Sequence, residues 1–272
     1  MKNNKSLGQH WLYNRTILDG IADLAAGYYP DSNMDTTEVD HHSCAPRIAA
    51  SPTNLCIEIG PGLGTLTSSL LKRFDKVIAV EYDSRLAANL PGSFPGTNLE
   101  VINADILEVD FAKLTDGNSY VIAGNIPYYI TSPILEKVLT APHLSERVVL
   151  LMQKEVAERI LSHKETTLSL FVKNRAKVYP GPIVPRGEFT PPPKVDSQVL
   201  VLEPHAPEVS DAVFGLIRQG FSSPRKKLLH NLTNLSPRDE LLQIFATIGI
   251  SPDARPGDLS LATWSSLYTH LC

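Results

Sequence analysis

Short apolar runs alternate with segments of helical periodicity through the middle of this 272-residue chain. The apolar runs predict buried strands, and they are LCIEIG, KVIAVEY, LEVINAD, YVIAGN and ERVVLLMQ, with SLFVKNRAKVYPGPIV and QVLVLEP further along. Helical spacing separates the earlier runs, in TLTSSLLKRF, SRLAANL, SPILEKVLT and KEVAERILS. Because strands that alternate with helices form parallel sheets with crossover connections, the pattern predicts an α/β, doubly wound, Rossmann-like sheet.

The segments on either side of the predicted sheet have other patterns. Residues 16–26 have helical spacing, whereas 31–51 have no periodicity and are rich in Pro, Asp, Ser and Thr, which predicts a flexible insertion. A Pro-containing link at 203–210 precedes four helical patterns, DAVFGLIRQGF, SPRKKLLHNL, SPRDELLQIFATIG and SLATWSSLYTHL. We therefore expect a sheet domain at 1–203 and a small all-helical domain at 204–272.

Charge is distributed unevenly along the chain, although the net charge is only -4. Residues 1–15 carry +3, 16–144 carry -9, 145–230 carry +4 and 231–272 carry -2. Such asymmetry can place a basic surface for an anionic polymer on an acidic protein, and an ordinary solvated surface explains it equally well. No apolar run approaches the roughly 18 residues of a membrane span, and no apolar block follows MKNNKSLGQHW, so we expect a cytoplasmic protein without membrane contact.

A metal site is not expected. Asp40, His41, His42 and Cys44 are crowded within the predicted insertion, but no second ligand pair stands at the spacing of structural zinc sites.

The first candidate site is EIGPGLGTLT, at the end of the first predicted strand. Gly60, Gly62 and Gly64 let the backbone approach a ligand closely, while Glu81 and Asp105 end the next two strands, within reach of a ribose and an adenine. The loop lacks both the G-x-G-x-x-G spacing and the lysine of phosphate-binding loops, so it favours an adenosine ligand without phosphates. We expect S-adenosylmethionine, whose cationic sulfonium suits the acidic balance of 16–144. The alternative is three strand-end turns with solvated acids.

The second candidate site is GNIPYY, which closes the fourth predicted strand on the same edge. The Asn125 side-chain oxygen and the Ile126 carbonyl can each accept one N–H of an adenine amine and align it for attack on a methyl group. Pro127 fixes the backbone, and Tyr128 can stack on a base drawn out of RNA. A plain turn with two surface tyrosines is the alternative interpretation.

Motifs spread over nearly the whole chain resemble the ribosomal RNA adenine N6-dimethyltransferase family, in the family's order. They are KSLGQHWL, EIGPGLGTLT, VIAVEYD, NADIL, GNIPYYITSPIL, MQKEVAERI, FTPPPKVDS and FSSPRKKLLHNL. The N-I-P-Y and PPPKVDS segments are specific to the family, whereas the glycine loop is shared among methyltransferases. The C-terminal GISPDARPGDLSLATWSSLY resembles the branch that dimethylates two adjacent adenines in a terminal stem-loop of small-subunit RNA.

The resemblance implies roles for single residues. For the cofactor, Gln9, His10 and Leu12 close over it, and Gly60 and Gly62 cradle its amino-acid part. Glu81 binds the ribose and Asp105 binds the adenine. Asn125 is adjacent to the cofactor and holds the target amine. For the RNA they are Tyr128 and Phe189 on opposite faces of the target base, although Phe189 beside a proline run, taken alone, is more typical of a core residue. Arg225, Lys226 and Lys227 start a helix; such charges are usually a solvated face, but beside a methyltransferase core we expect them to contact phosphates. Trp11 stands where the family usually has Phe, and the loop before residue 54 is longer than expected; both bear on how the N-terminal segment closes.

The expected partner is therefore small-subunit RNA within an immature small ribosomal subunit, bound by a monomer. Two alternatives stay open: a large-subunit RNA methyltransferase that confers macrolide resistance and shares N-I-P-Y, and a ribosome-assembly factor whose catalysis is incidental. A small-molecule methyltransferase fits least, since such an enzyme has no need of an added helical domain.

Overall fold

The computed structural model describes residues 10–28 and 53–271, and these form two compact units. One unit contains the described residues up to Ala157 together with Lys177–Pro204, and we call it the sheet unit. The other contains Glu158–Ala176 together with the described residues from His205 onward, and we call it the helical unit. The chain thus passes into the helical unit twice. The predicted insertion at 31–51, with Asp40, His41, His42 and Cys44, lies outside the described residues.

The strands confirm the predicted α/β class. In chain order the described residues form β1 (Trp11–Leu12), β2 (Leu55–Ile59), β3 (Lys76–Glu81), β4 (Leu99–Asn103), β5 (Val121–Asn125), β6 (Arg147–Gln153), β7 (Ala176–Val184), β8 (Phe189–Thr190) and β9 (Ser197–Pro204). Seven of them make one sheet in the order β4-β3-β2-β5-β6-β9-β7. Neighbours from β4 to β6 are parallel, whereas β9 runs antiparallel to β6.

The strand register explains where a ligand can bind. Ile59 of β2 lies beside Val80 of β3 and Gly124 of β5, so the residues that follow these three strands emerge at one edge of the sheet. Strands β2, β3 and β5 are mostly apolar and almost wholly buried, as is typical of the central strands of a parallel sheet with helices on both faces. The order reverses between β2 and β5, and such a switch point opens a crevice at the carboxyl ends of the strands.

The helices of the described residues are short. They are α1 (Arg15–Ala26), α2 (Thr67–Leu70), α3 (Ser84–Asn89), α4 (Phe111–Leu114), α5 (Thr131–Leu139), α6 (Lys154–Leu161), α7 (Thr167–Lys173), α8 (Asp211–Gly220), α9 (Leu228–Leu232), α10 (Arg238–Ile248) and α11 (Leu261–Leu271). Helix α1 begins where the Asn14 side chain accepts from the N–H groups of Thr16 and Ile17, and it ends at Gly27 in the left-handed conformation. None of the helices in the described segments is long and apolar enough to cross a membrane.

One predicted strand is wrong in its first half. The segment SLFVK was assigned to a strand, but Thr167–Lys173 is α7 and the strand begins only at Ala176. A capping box starts this helix, because the Thr166 side chain accepts from the Ser169 N–H and the Ser169 hydroxyl accepts from the Thr166 N–H. Leu170 and Val172 are fully buried, so tertiary packing overrides the β-branched and aromatic composition of the run.

The helical unit has its own apolar core around Trp264, whose side chain is fully buried among leucines, isoleucines and phenylalanines of α8 to α11.

The prediction that SPRKK begins a helix is corrected here. Helix α9 covers only Leu228–Leu232, so Arg225 and Lys226 lie in the turn before it and Lys227 occupies its N-cap position.

Candidate active site

A cavity of about 370 Å³ lies at the carboxyl ends of β2, β3, β4 and β5, which is a size typical of small-molecule sites. Its lining contains most of the predicted site residues, namely His10, Gly60, Gly62, Glu81, Asp105, Asn125, Ile126, Pro127 and Tyr128. The structure therefore brings together both motifs, EIGPGLG and GNIPYY, from segments about 60 residues apart.

The glycine loop has a backbone that only glycine adopts readily. Gly60 and Gly62 have φ of +66° and +57°, in the left-handed region. A Cβ on Gly62 would stand 3.3 Å from Nε1 of Trp11, which packs on the loop from β1. A side chain at either position would strain the backbone, and one at Gly62 would also crowd Trp11.

Glu81 fastens this loop to the end of β3. One carboxylate oxygen accepts from the Gly62 N–H at 3.0 Å and the other from the Asp83 N–H at 2.8 Å. Burial raises the pKa of Glu81, and the two N–H donors act in the opposite direction. Because a carboxylate has about four acceptor positions, Glu81 can still accept from the hydroxyls of a ligand.

Asp105 follows β4 and has a similar local arrangement. Its Oδ1 accepts from the Leu107 N–H at 2.9 Å, which fixes the carboxylate at the cavity wall. The second oxygen of such a carboxylate remains suited to an amino group of a ligand.

Sequence reasoning did not assign Glu58, which the structure places in the cavity lining beside Glu81. Its side chain is 1% exposed, and Oε2 accepts from the Thr67 hydroxyl at 2.6 Å. Burial, with a contribution from the charge of Glu81, raises the pKa of Glu58 to about 8. The available signal was an acid inside the apolar run LCIEI, since a carboxyl group there has to be buried.

Asn125 ends β5 with its amide oriented by the N-terminal segment. Its Nδ2 donates to the backbone carbonyl of His10 at 3.1 Å. Since a side-chain amide has one donor end and one acceptor end, this bond leaves Oδ1 as the group that can accept from a substrate amine. The Ile126 N–H donates to the Leu151 carbonyl at 3.2 Å, and Pro127 (φ -61°, ψ 131°) then turns the chain.

Tyr128 is held from two sides. Its hydroxyl lies 2.7 Å from the Ser197 hydroxyl, and its ring stacks on that of His10 with centroids 5.7 Å apart and planes 20° apart. Burial raises the pKa of Tyr128, so the phenol stays protonated at neutral pH. His10 is itself fixed, because its Nδ1 donates to the Pro191 carbonyl at 2.8 Å.

Several predicted residues are not in this cavity. Leu12 and Phe189 are 0% and 2% exposed, pair with each other across β1 and β8, and belong to the apolar core rather than to the cavity lining. Gln9 lies outside the described residues. Arg225, Lys226 and Lys227 are exposed and belong to the helical unit.

The chemistry of the lining residues fits an adenosine ligand with positive charge. Within the described residues the lining includes three carboxylic acids, Glu58, Glu81 and Asp105, and no lysine or arginine. Glu58 adds no negative charge at neutral pH, because burial raises its pKa to about 8. The lining offers no cation to a phosphate, whereas its carboxyl groups suit a sulfonium or ammonium group. The bare glycine backbone and the two acids that follow β3 and β4 suit S-adenosylmethionine.

A comparison with known families shows to which family the chain belongs. The family described as ribosomal RNA adenine dimethylase matches residues 1–271. The chain belongs to this family. The resemblance stated from the motifs is thereby confirmed.

Relatives of this ribosomal RNA adenine dimethylase match along nearly the full chain. The ribosomal RNA small subunit methyltransferase A of Synechococcus elongatus is 35% identical over 290 residues, covering 100% of this chain and 96% of the relative. The protein of that name from Geobacillus kaustophilus is 33% identical over 283 residues, covering 97% and 89%.

Solved structures support the same assignment of fold. A dimethyladenosine transferase from Plasmodium falciparum has a TM-score of 0.72 at 28% identity, covering 95% of this dimethylase and 96% of that chain. The 23S rRNA methyltransferase ErmE also has a TM-score of 0.72, at 25% identity, covering 96% and 99%.

Proposed function

We propose that this enzyme transfers methyl groups from S-adenosylmethionine to N6 of two adjacent adenines in the 3'-terminal stem-loop of small-subunit (16S) ribosomal RNA. The observation that carries the proposal is the single cavity that joins the glycine loop, Glu81 and Asp105 to Asn125 and Tyr128. Relatives named ribosomal RNA small subunit methyltransferase A, matched end to end, favour the small subunit as the source of the RNA.

The cofactor half of the cavity would be held by backbone and carboxylates. The glycine loop, whose backbone a ligand can approach closely, and the acid Glu58 are suited to the amino-acid part. Glu81 is suited to the ribose hydroxyls and Asp105 to the adenine. When bound, S-adenosylmethionine supplies a methyl group that is activated by its positively charged sulfur. Trp11 and His10 line the same cavity.

Asn125 and Ile126 would act on the target adenine. The adenine amine is a weak nucleophile because its lone pair is delocalised into the ring. The Asn125 Oδ1 and the Ile126 carbonyl each accept one of its N–H groups, which orients the lone pair and stabilises the positive charge that develops on nitrogen. Nδ2 of Asn125, held by His10, prevents the amide from rotating to present a donor instead. A strong base is unnecessary, since the alkylated nitrogen loses its proton readily.

Tyr128 would provide the stacking surface for the extruded base. Its ring is fixed through Ser197, so a stacked base would not need to order it. In this structure one face of Tyr128 is turned to His10, and Phe189 does not reach the cavity. The opposite face of the base would therefore be covered by a group other than the Phe189 ring unless β8 moves.

We further propose that the enzyme acts as a monomer in the cytoplasm and that methylation is a late step of small-subunit biogenesis. The basic residues Arg225, Lys226 and Lys227 would contact phosphates of the RNA and carry little sequence information.

The test is to incubate the protein with methyl-labelled S-adenosylmethionine and either immature small subunits or large-subunit RNA, both from an unmethylated strain, and to map the modified nucleotides. We expect dimethyl-adenine at an adjacent pair in small-subunit RNA, and labelling that is about 10²- to 10³-fold slower with Asn125→Ala. Label in large-subunit RNA would favour an activity like that of ErmE, which shares the fold. Tight subunit binding without any label would favour an assembly factor.

A further inference from the structure

Two consecutive tyrosines at the cavity mouth differ in how they are held. Tyr128 is half-buried, bonded to Ser197 and stacked on His10. Tyr129 lines the same cavity but is 61% exposed. Within the described residues its side chain makes no hydrogen bond and no ring contact. The proposed function gives Tyr128 a role and leaves Tyr129 without one.

The backbone beneath Tyr129 is well fixed. Tyr128–Ile130 forms a single 3-10 turn, closed by a bond from the Ile130 N–H to the Pro127 carbonyl at 3.3 Å. The Thr131 hydroxyl donates to the Tyr128 carbonyl at 3.0 Å. A rigid turn thus holds an aromatic ring at the rim, where both the ring and the cavity are open to solvent. A stacking partner would gain its contact area at little cost in side-chain entropy, because tyrosine has only two side-chain torsions.

The electrostatics of the cavity favour a base over a phosphate as that partner. The described lining has three acids and no lysine or arginine, so phosphates near the mouth gain no attraction there. An RNA strand that enters with one base in the cavity must still be held where it leaves the cavity. Base stacking can supply this local affinity without any cation.

We propose that Tyr129 stacks on the nucleobase adjoining the target adenine. This inference rests on the proposed function, since it presupposes an RNA strand with one adenine in the cavity. Every base has a face that can stack, so Tyr129 contributes affinity and positioning without reading the identity of the neighbour. Exchanging the neighbouring adenine for another base therefore changes binding little, whereas removing the base abolishes the contribution of Tyr129.

The experiment combines protein and RNA changes in a double-mutant cycle, using the RNA on which methylation has been mapped. Binding is measured for wild-type protein and Tyr129→Ala, each with intact RNA and with RNA made abasic at either neighbour of the target adenine. Tyr129→Ala should weaken binding of intact RNA by about 5- to 150-fold. When the base is missing at the neighbour that Tyr129 stacks on, the RNA should bind wild-type protein and Tyr129→Ala equally. The contact between ring and base is already lost, so removing the ring costs nothing more.

The controls separate the ring from other effects. Tyr129→Phe keeps the ring and should bind intact RNA like wild type. Tyr13→Ala removes a tyrosine that is 51% exposed and absent from the cavity lining, and it should change neither affinity nor the cycle. Unchanged binding of S-adenosylhomocysteine by Tyr129→Ala shows that the cavity is intact.

Two results would overturn the inference: wild-type affinity in Tyr129→Ala, or losses that add in full at both neighbours. If the wild-type protein methylates no RNA, that result contradicts the proposed function instead, so the two failures are distinguishable.

Discussion

The cavity of the sheet unit and the basic turn of the helical unit, residues 225–227, place their polar side chains in different surroundings. In the cavity Glu81, Asn125 and Tyr128 are each fixed by hydrogen bonds to other parts of the sheet unit. In the basic turn all three side chains are exposed. Among the interactions seen in the described residues, the Lys226 side chain contacts only His230, at 3.3 Å, and Lys227 pairs with Asp253, which is itself exposed.

This contrast indicates two kinds of task. A reaction needs groups that are already oriented, because reorganisation would raise the barrier. Phosphate attraction acts over about a Debye length and tolerates mobile charges. The comparison predicts that changes in the cavity alter rate or proton uptake in large steps, whereas changes in the basic turn alter affinity in a graded, salt-dependent way.

The largest expected effect is on stability, through Glu58. Its pKa is raised by burial to about 8 in the folded protein, so the native state binds a proton more tightly than the unfolded chain. The free energy of unfolding therefore falls as pH rises from about 4.5 to about 8, by on the order of 4 kcal/mol in total. Glu58→Gln removes this loss. Urea unfolding at pH 5 and pH 8 should show that the variant has a higher free energy of unfolding than wild type only at pH 8.

Glu100→Gln is the matched control. Glu100, on β4, is 46% exposed and pairs with Lys76 on β3. Its pH profile should parallel that of wild type. Parallel profiles for Glu58→Gln as well would mean that the buried acid does not hold its proton.

Asn125→Ala should lower kcat by about 10²- to 10³-fold, by analogy with removal of one polar group that stabilises a transition state. Affinity for S-adenosylhomocysteine, measured by calorimetry, should stay near that of wild type. Asn98→Ala is the control, because the Asn98 side chain donates to the Asp75 carbonyl at 2.9 Å and is absent from the cavity lining. Wild-type turnover in Asn125→Ala would refute the role of this amide.

Replacing Arg225, Lys226 and Lys227 together by Ala should weaken RNA binding most at low salt. The slope of log affinity against log salt should become shallower by about one for each phosphate contact removed. An unchanged slope would place the RNA elsewhere. Lys72→Ala and Lys113→Ala, exposed lysines of the sheet unit, provide the control for loss of charge alone.

The smallest expected effect concerns Phe189. As a core residue it should tolerate Phe189→Leu with a loss of about 1 kcal/mol in the free energy of unfolding and nearly unchanged methylation. A large fall in methylation without a matching loss of stability would show that the ring reaches the target base during catalysis, as the motif resemblance implied.

The sequence predicted the parts of this fold that depend on local pattern. The apolar runs located the strands, and the strand ends located Gly60, Glu81 and Asn125, because parallel strands bring their carboxyl ends to one edge. It could not predict that β1 pairs with β8, which is a contact across almost 180 residues and places Leu12 in the core. The proline run beside Phe189 did indicate a core residue, whereas the motif resemblance implied a place at the target base. Helix α7 was missed because its stability comes from a cap and from burial rather than from composition.

The pattern of apolar and polar residues also does not predict the surroundings of individual side chains. The apolar run LCIEI indicates that Glu58 is buried but not that Thr67 is its hydrogen-bond partner, and PYY gives no sign that one tyrosine is held and the other exposed. These differences depend on which neighbours the folded chain supplies.

The most direct test of the division between the cavity and the basic turn is single-turnover methylation over a range of RNA concentrations. Asn125→Ala should show a maximal rate reduced by about 10²- to 10³-fold with an unchanged half-saturating RNA concentration. The variant with Ala at 225, 226 and 227 should show a raised half-saturating concentration and a maximal rate close to wild type. A basic-turn variant whose maximal rate falls at saturating RNA, or an Asn125→Ala variant that loses only affinity, would contradict the account.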